Sequence, residues 1–285
     1  VGEFKLKVTE HDRDVAGLRY VYPVISRRAR GVSIGINLNI NNACNWRCIY
    51  CQVPDLKLGT APPVDLVLLE KELRGFLKEL LHGDFMLTHV PEEARRINDI
   101  ALSGNGEPTS AAEFFQVIEL IGKLKNELSL PAQIKLVLIT NGSLIQRENV
   151  QQGLRLMAGL QGEVWFKLDR ASEKGLALIN DTKISLDKVR ENLTAAISCC
   201  PNTWLQTCWF ALDGAAPSQK DEDDYLQFLN ELFIKKIRVK GVLLYGIARV
   251  SMQPEASRLQ QLSTEQMEHF ANRIRNLGVI VNISA

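Results

Sequence analysis

The sequence predicts an α/β barrel. Two observations carry that reading. From Gly31 onward, apolar β-prone runs alternate with helix-period segments about six times. The polar, chemistry-bearing motifs fall at or just after the ends of the strand runs, where parallel barrels collect their functional groups. At 285 residues, 46% hydrophobic and 24% charged, the chain is long enough to bury about three quarters of its unfolded surface as one domain.

Residues 1–31 mix charged and aromatic residues without a clean period and read as a lead-in with room for a short strand or hairpin; residues 32–285 form the domain. The first strand is expected from Val32 to Ile40, and a helix from Asp65 to Leu81 with apolar Leu66, Leu69, Leu73, Phe76, Leu77 and Leu80 at spacings of three and four. Residues 82–96 look irregular. Further strands are expected at 97–103, 134–140, 164–168, 204–212 and 239–244, and further helices at 112–128, 147–157, 186–197, 221–233 and 264–276, with Gly278 as a stop. A short tail near Val279 to Ile283 follows. A closed eight-stranded barrel usually takes about 250 residues, but the pattern fills only six units.

No apolar run reaches the ~20 residues of a membrane span. The start lacks methionine, which suggests trimming, and Glu3, Lys5, Lys7, Glu10 and Asp12 break any signal-peptide core. The cytoplasm is the expected compartment. A net charge of +1 argues against a strongly basic nucleic-acid binder. Two basic patches, Arg27, Arg28 and Arg30, and Lys235, Lys236, Arg238 and Lys240, read as solvated surface at element ends.

The first strand feeds Cys44-Asn45-Trp46-Arg47-Cys48-Ile49-Tyr50-Cys51, three cysteines at C-x3-C-x2-C spacing. Thiolates are the usual ligands of iron-sulfur clusters, one per iron. Three of them leave one iron of a cubane open, and open coordination implies chemistry. A zinc site would pair its C-x2-C with a second such element, and none follows at finger-like distance. Three clustered thiols cannot all pair as disulfides.

This spacing, with an aromatic residue before the last cysteine, resembles the signature of the radical S-adenosylmethionine (SAM) superfamily. The segments Tyr22 to Arg28, Ser33 to Asn37 and Cys44 to Gln52 resemble its wyosine-synthase-like branch, as do Ala101 to Thr109, Thr140-Asn141-Gly142, Lys167-Leu168-Asp169, Leu205-Gln206-Thr207 and Tyr245 to Arg249. The resemblance implies a partial, laterally open (β/α)6 barrel, a 4Fe-4S cluster on Cys44, Cys48 and Cys51, and SAM on the open iron. It further implies a low-potential electron donor such as flavodoxin or ferredoxin. That branch makes a tricyclic tRNA base with a second cluster held by upstream cysteines. No cysteine precedes Cys44 here, so its activity is not carried over.

Gly104-Asn105-Gly106-Glu107 follows the second strand. Small residues there admit a ligand close to backbone, and the carboxylate can accept from an ammonium; the resemblance gives this loop the methionyl amine of SAM. Tyr50 is placed to pack on adenine or to floor the cysteine loop. Asn141 ends the third strand. Alternation puts Trp165, Lys167 and Asp169 on one face, so a lumenal Lys167 would pair with Asp169 or the SAM carboxylate. Ser185 could reach a ribose hydroxyl but is also an ordinary helix cap. Gln206 and Cys208 share a face of the fifth strand, and if it is the lumen Cys208 is a candidate hydrogen-atom donor or substrate contact, against the plainer reading of a small buried hydrophobe.

Three functions compete on these grounds. One is a single-cluster radical enzyme acting on a small molecule or an RNA base. The second is an activating enzyme that makes a glycyl radical on a partner protein, for which no peptide-binding rim is visible. The third is a non-catalytic cluster protein, against which Cys44, Cys48, Cys51 and Glu107 stand intact.

Overall fold

A computed structural model describes Leu6, residues 17–26 and residues 31–284 of the chain. Its centre is one eight-stranded sheet: β1 Val21–Ser26, β2 Gly31–Ile36, β3 Ile97–Leu102, β4 Lys135–Thr140, β5 Glu163–Lys167, β6 Thr203–Cys208, β7 Val242–Tyr245 and β8 Val281–Ser284, hydrogen-bonded in that order. β1 pairs with β2 antiparallel, and every later pairing is parallel. β1 and β8 each have one neighbour, so the sheet stays an open, curled half-barrel.

The six expected strand-helix units are all present, running from β2 to the helix after β7. α1 Leu66–His82 follows β2, with the short α2 Phe85–His89 behind it. α3 Phe114–Glu127 follows β3 and α4 Glu148–Gly159 follows β4. α5 Glu173–Asn180 and α6 Leu186–Cys199 follow β5, α7 Gln219–Ile234 follows β6, and α8 Thr264–Arg275 follows β7. The tail adds β8 as a further parallel strand, and the lead-in supplies β1. Arg27, Arg28 and Arg30 lie outside the described residues, while Lys235, Lys236, Arg238 and Lys240 are exposed at and beyond the end of α7.

The expected fifth strand is shorter than its apolar run. β6 stops at Cys208, and Ala211–Leu212 leaves the sheet to pair with Leu259–Gln260. The expected first strand likewise ends at Ile36, because the next asparagines turn the chain toward the cysteines.

Sheet alternation sorts the two faces. Outward positions such as Ile34, Ile36, Ile100, Leu102, Leu136, Leu138, Phe166, Leu205 and Leu244 join one core with the helices. On α1, Leu69, Leu73, Phe76, Leu77 and Leu80 are buried in it, each contributing roughly 1.5–3 kcal/mol. Asp65 caps that helix, its Oδ1 accepting from Leu68 N at 2.9 Å. The inward positions are more polar and include Ser33, Asp99, Glu163, Lys167 and Gln206. That face is a lumen. Among the described residues no helix is long and apolar enough to cross a membrane.

Candidate functional site

The site is built where β2 ends. Asn37 Oδ1 accepts from Asn39 N at 3.1 Å and from Asn105 N at 3.0 Å, and Asn39 Nδ2 donates to Ala43 O at 2.9 Å. These buried asparagines replace ladder partners that the turning chain has given up. They also fasten the start of the cysteine loop to the Gly104-Glu107 loop. Gly104 has φ 154°, which favours glycine. A Cβ on Gly106 would collide with Ala43 O. The two glycines therefore let the loop after β3 lie directly against the chain entering Cys44.

Cys44, Cys48 and Cys51 are free and half-buried on one loop. Burial pushes the Cys44 thiol up to about 12 and the Cys48 thiol up to about 11, so a metal must displace their protons on binding. Among the described residues no three Cys, His, Asp or Glu side chains converge on a single ion, and a cluster holding one thiolate per iron does not require it.

Three other segments brace this loop. The end of α5 accepts from it: Ile49 N donates to Ile179 O at 2.9 Å and Arg47 N to Asn180 O at 3.2 Å. The Asn180 amide donates to Cys48 Sγ at 3.2 Å and to Asp169 Oδ2 at 2.7 Å. From the β4 side, Asn141 Nδ2 donates to Asn45 Oδ1 at 2.8 Å, and Asn45 Nδ2 donates to Ser143 Oγ at 2.7 Å. The third brace is the stretch after β7. Ser251 Oγ donates to Ile49 O at 2.8 Å, Met252 N to Cys51 O at 2.9 Å, and Gln253 Nε2 to Val53 O at 3.0 Å. Glu255 takes both Arg47 Nη atoms at 2.9 Å, while Arg47 Nε reaches Asp181 at 3.0 Å.

Glu107 is 2% exposed, and its carboxylate is spent largely on the protein. Oε1 accepts from Thr109 N at 3.1 Å and from the Thr109 and Thr140 hydroxyls at 2.6 Å; Oε2 accepts from Asn141 N at 2.6 Å. Burial holds the carboxyl above the usual range even though these donors oppose it. Asn105 gives its Nδ2 to Asn42 at 2.6 Å and leaves a buried Oδ1 with no partner among the described residues.

Tyr50 floors the loop. Its hydroxyl donates to Asp169 Oδ2 at 2.5 Å and its ring meets Phe210 edge-on at 5.6 Å. Asp169, 1% exposed, also accepts from Cys208 N at 2.8 Å. Its oxygens are engaged by Tyr50, Asn180 and Cys208, so Lys167 makes no ion pair with it within hydrogen-bonding reach. Lys167 is half-buried, with Nζ 4.9 Å over the Tyr50 ring. Burial opposes its charge, but Tyr245, Asp169, Cys48 and Cys208 around it hold the ammonium well above the usual lysine range. Cys208 is 1% exposed and packs with Tyr50, Phe210 and Ile179; burial pushes its thiol up. Ser185 stands apart as the exposed cap of α6, accepting from Lys188 N at 3.2 Å.

Cys44, Cys48, Cys51, Tyr50, Asn105, Glu107, Asn141, Lys167, Asp169 and Cys208 are thus drawn together around one loop at one end of the sheet. The sequence reading missed Arg47, Asn180, Ser251 and Glu255. The alternating asparagines at 37, 39 and 41 were a readable signal for the turn out of β2, while nothing local marked Asn180 or Ser251.

The family model described as Radical SAM superfamily matches residues 38–210. A protein named GTPase Obg from Brachyspira hyodysenteriae is 28% identical over 254 residues, 86% of this chain and 32% of that protein. A UPF0026 protein of Methanocaldococcus jannaschii is 29% identical over 180 residues, 61% of this chain and 48% of that protein. The chain therefore spans less than half the length of either relative. The structure of TYW1 with a lysine-pyruvate adduct superposes with TM-score 0.57 at 15% identity, covering 88% of this chain and 74% of that one. Streptococcus suis SuiB bound to S-adenosylmethionine does so at 0.53 and 12%, covering 85% and 48%. Both likenesses show a shared fold. With the family model covering more than half of the sequence, this chain belongs to the radical SAM superfamily, a family whose enzymes use a 4Fe-4S cluster and S-adenosylmethionine.

Proposed function

We propose that Cys44, Cys48 and Cys51 each hold one iron of a single 4Fe-4S cluster, leaving the fourth iron to the amine and carboxylate of SAM. The supporting observation is the three half-buried thiols on one loop braced from three sides, beside the unspent acceptor Asn105 Oδ1. When bound and reduced, this pair of cofactors supplies a 5′-deoxyadenosyl radical that abstracts hydrogen from a substrate.

The chain's own residues position and shield. Asn105 Oδ1 and the less occupied Glu107 Oε2 accept from the N–H groups of the methionyl amine. Lys167, free of any ion pair among the described residues, faces the methionyl carboxylate. Asn141 keeps the Asn45 end of the cysteine loop in place, Asp169 holds Tyr50 and Asn180 beneath it, and the Gly104 and Gly106 backbone admits the close approach. Ser185 serves its helix as the cap. A flavodoxin- or ferredoxin-like donor supplies the electron, the substrate is a small molecule or an RNA base, and the reducing cytoplasm is the compartment. Anaerobically reconstituted protein treated with dithionite should convert SAM to methionine and 5′-deoxyadenosine. Intact SAM after reduction of a fully loaded cluster would reject the reading.

Two residues give finer tests. Asn180→Leu removes the N–H donor from Cys48 Sγ and should shift the cluster to a more negative midpoint potential, because hydrogen bonds to cluster thiolates ease reduction. A redox titration matching wild type would leave Asn180 a brace of Asp169 alone. Cys208 keeps the role of hydrogen-atom donor or substrate contact: Cys208→Ala should retain cluster and SAM cleavage but lose product. Full product yield from that variant would leave only packing.

A further inference from the structure

We propose that the lumen wall of β4 to β7 carries a substrate subsite for a flat heterocycle with a lactam edge, a ring carbonyl beside a ring N–H. The proposal rests on the hydrogen-abstraction reading above and names the class of molecule that would be acted on.

The wall follows from strand register. Ile139 pairs with Trp165, Trp165 with Trp204, Lys167 with Gln206, and Gln206 with Leu243. Paired residues of parallel strands project to one face, and the intervening Phe166, Leu168, Leu205, Val242 and Leu244 belong to the outer core. The lumen side below Lys167 is therefore Ile139, Trp165, Trp204, Gln206 and Leu243, a largely apolar and aromatic wall with the buried Glu163, paired to Lys135 and to the Trp165 N–H, at its lower edge.

Two polar groups on it have no protein partner among the described residues. Gln206 is 5% exposed, its Oε1 accepts nothing, and its amide takes part in no side-chain hydrogen bond. Trp204 Nε1 is buried and donates to nothing. Leaving such groups unpaired is costly, so two of them at alternate positions of one strand, with Cα atoms roughly 7 Å apart, mark a surface shaped for something else.

Their chemistry selects the occupant. A glutamine amide offers one donor and one acceptor side by side, the complement of an O=C–N–H edge and the pairing that Asn and Gln use toward base edges. The indole N–H of Trp204 adds a donor for a second ring acceptor. An aliphatic chain would leave both groups unpaired. A simple anion would ignore the acceptor of Gln206 and settle at Lys167, on the cluster side.

The test measures binding of uridine, guanosine and 3-methyluridine to the cluster-loaded, SAM-bound protein by saturation-transfer NMR and calorimetry. Uridine or guanosine should saturate the wild type, and 3-methyluridine, whose ring N–H is blocked, should bind about tenfold or more weakly. Gln206→Leu should cost a similar factor, and Trp204→Phe, which keeps a ring but removes the N–H, a smaller one. A short single-stranded RNA binding more tightly than its nucleosides would place the lactam within RNA; equal affinity would make it a free small molecule. No saturation by either nucleoside at millimolar concentration, or equal binding by wild type and Gln206→Leu, would overturn the subsite. Should Gln206→Leu fail to fold, the 3-methyluridine comparison on the wild type decides. SAM cleavage by the wild type is scored separately, so failure of the radical reading and failure of the subsite give different results.

Discussion

Replacing Cys44, Cys48 and Cys51 together by alanine should abolish cluster assembly: about four irons per chain after anaerobic reconstitution fall to near none, and reductive SAM cleavage disappears with them. The change should leave the fold in place, because most of the bonds that hold the loop do not involve the sulfurs, the exceptions being those of Cys48 with Asn180 and of Cys44 with Asn45. Circular dichroism and melting temperature close to wild type, with no iron, is the expected pair of results. Four irons with an unchanged visible spectrum would sink the ligand assignment.

Glu107→Ala should produce the second large effect, in two measurements. Its carboxylate gathers donors from Thr109, Thr140 and Asn141, and truncation strands two backbone N–H groups in a dry site. At ~1–3 kcal/mol for each unsatisfied group the loss is about 2–6 kcal/mol, which lowers the melting temperature by on the order of 10 °C. SAM affinity should also fall by about 1.5–3 kcal/mol as a charged hydrogen bond goes. A melting temperature within a degree of wild type would remove the structural role, and unchanged affinity by calorimetry would remove the ligand role. Glu107→Gln, which keeps shape and one acceptor oxygen, covers the case in which the alanine variant does not fold.

Much of the fold could be read from the chain because long amphipathic helices announce themselves. The leucines and Phe76 of α1 repeat at three and four, and the structure buries five of the six named. β1 was harder, since Tyr22 and Pro23 carry no clear alternation and its place is set by pairing with β2. α5 has only eight residues and a glycine; its start depends on Ser172, whose Oγ accepts from Gly175 N at 3.1 Å. Short helices of that kind are stabilised by packing more than by propensity. The site followed the same divide. The cysteine spacing and the glycine loop were local and legible. Glu107 stood out as a carboxylate in that loop, but the sequence could not say that Thr109, Thr140 and Asn141 would claim most of its lone pairs. Lys167 and Asp169 fell on one face as alternation required, yet Tyr50, Asn180 and Cys208 took the carboxylate first. Arg47 gave no hint of its partners, because Asp181 and Glu255 are set opposite it only by the finished barrel.

The segment after β7 reaches back 202 residues to bond Ile49 through Ser251. On a ribosome adding ~5–20 residues per second, the cysteine loop is complete roughly 10–40 seconds before that latch has been made. Nascent chains therefore offer three unlatched thiols to iron-sulfur delivery during synthesis. A finished, metal-free chain has to load against the closed latch or during its local opening. Iron and sulfide supplied during refolding should consequently fill the protein faster than the same reagents added to the folded apoprotein, and the gap should close in a Ser251→Ala, Glu255→Ala double variant.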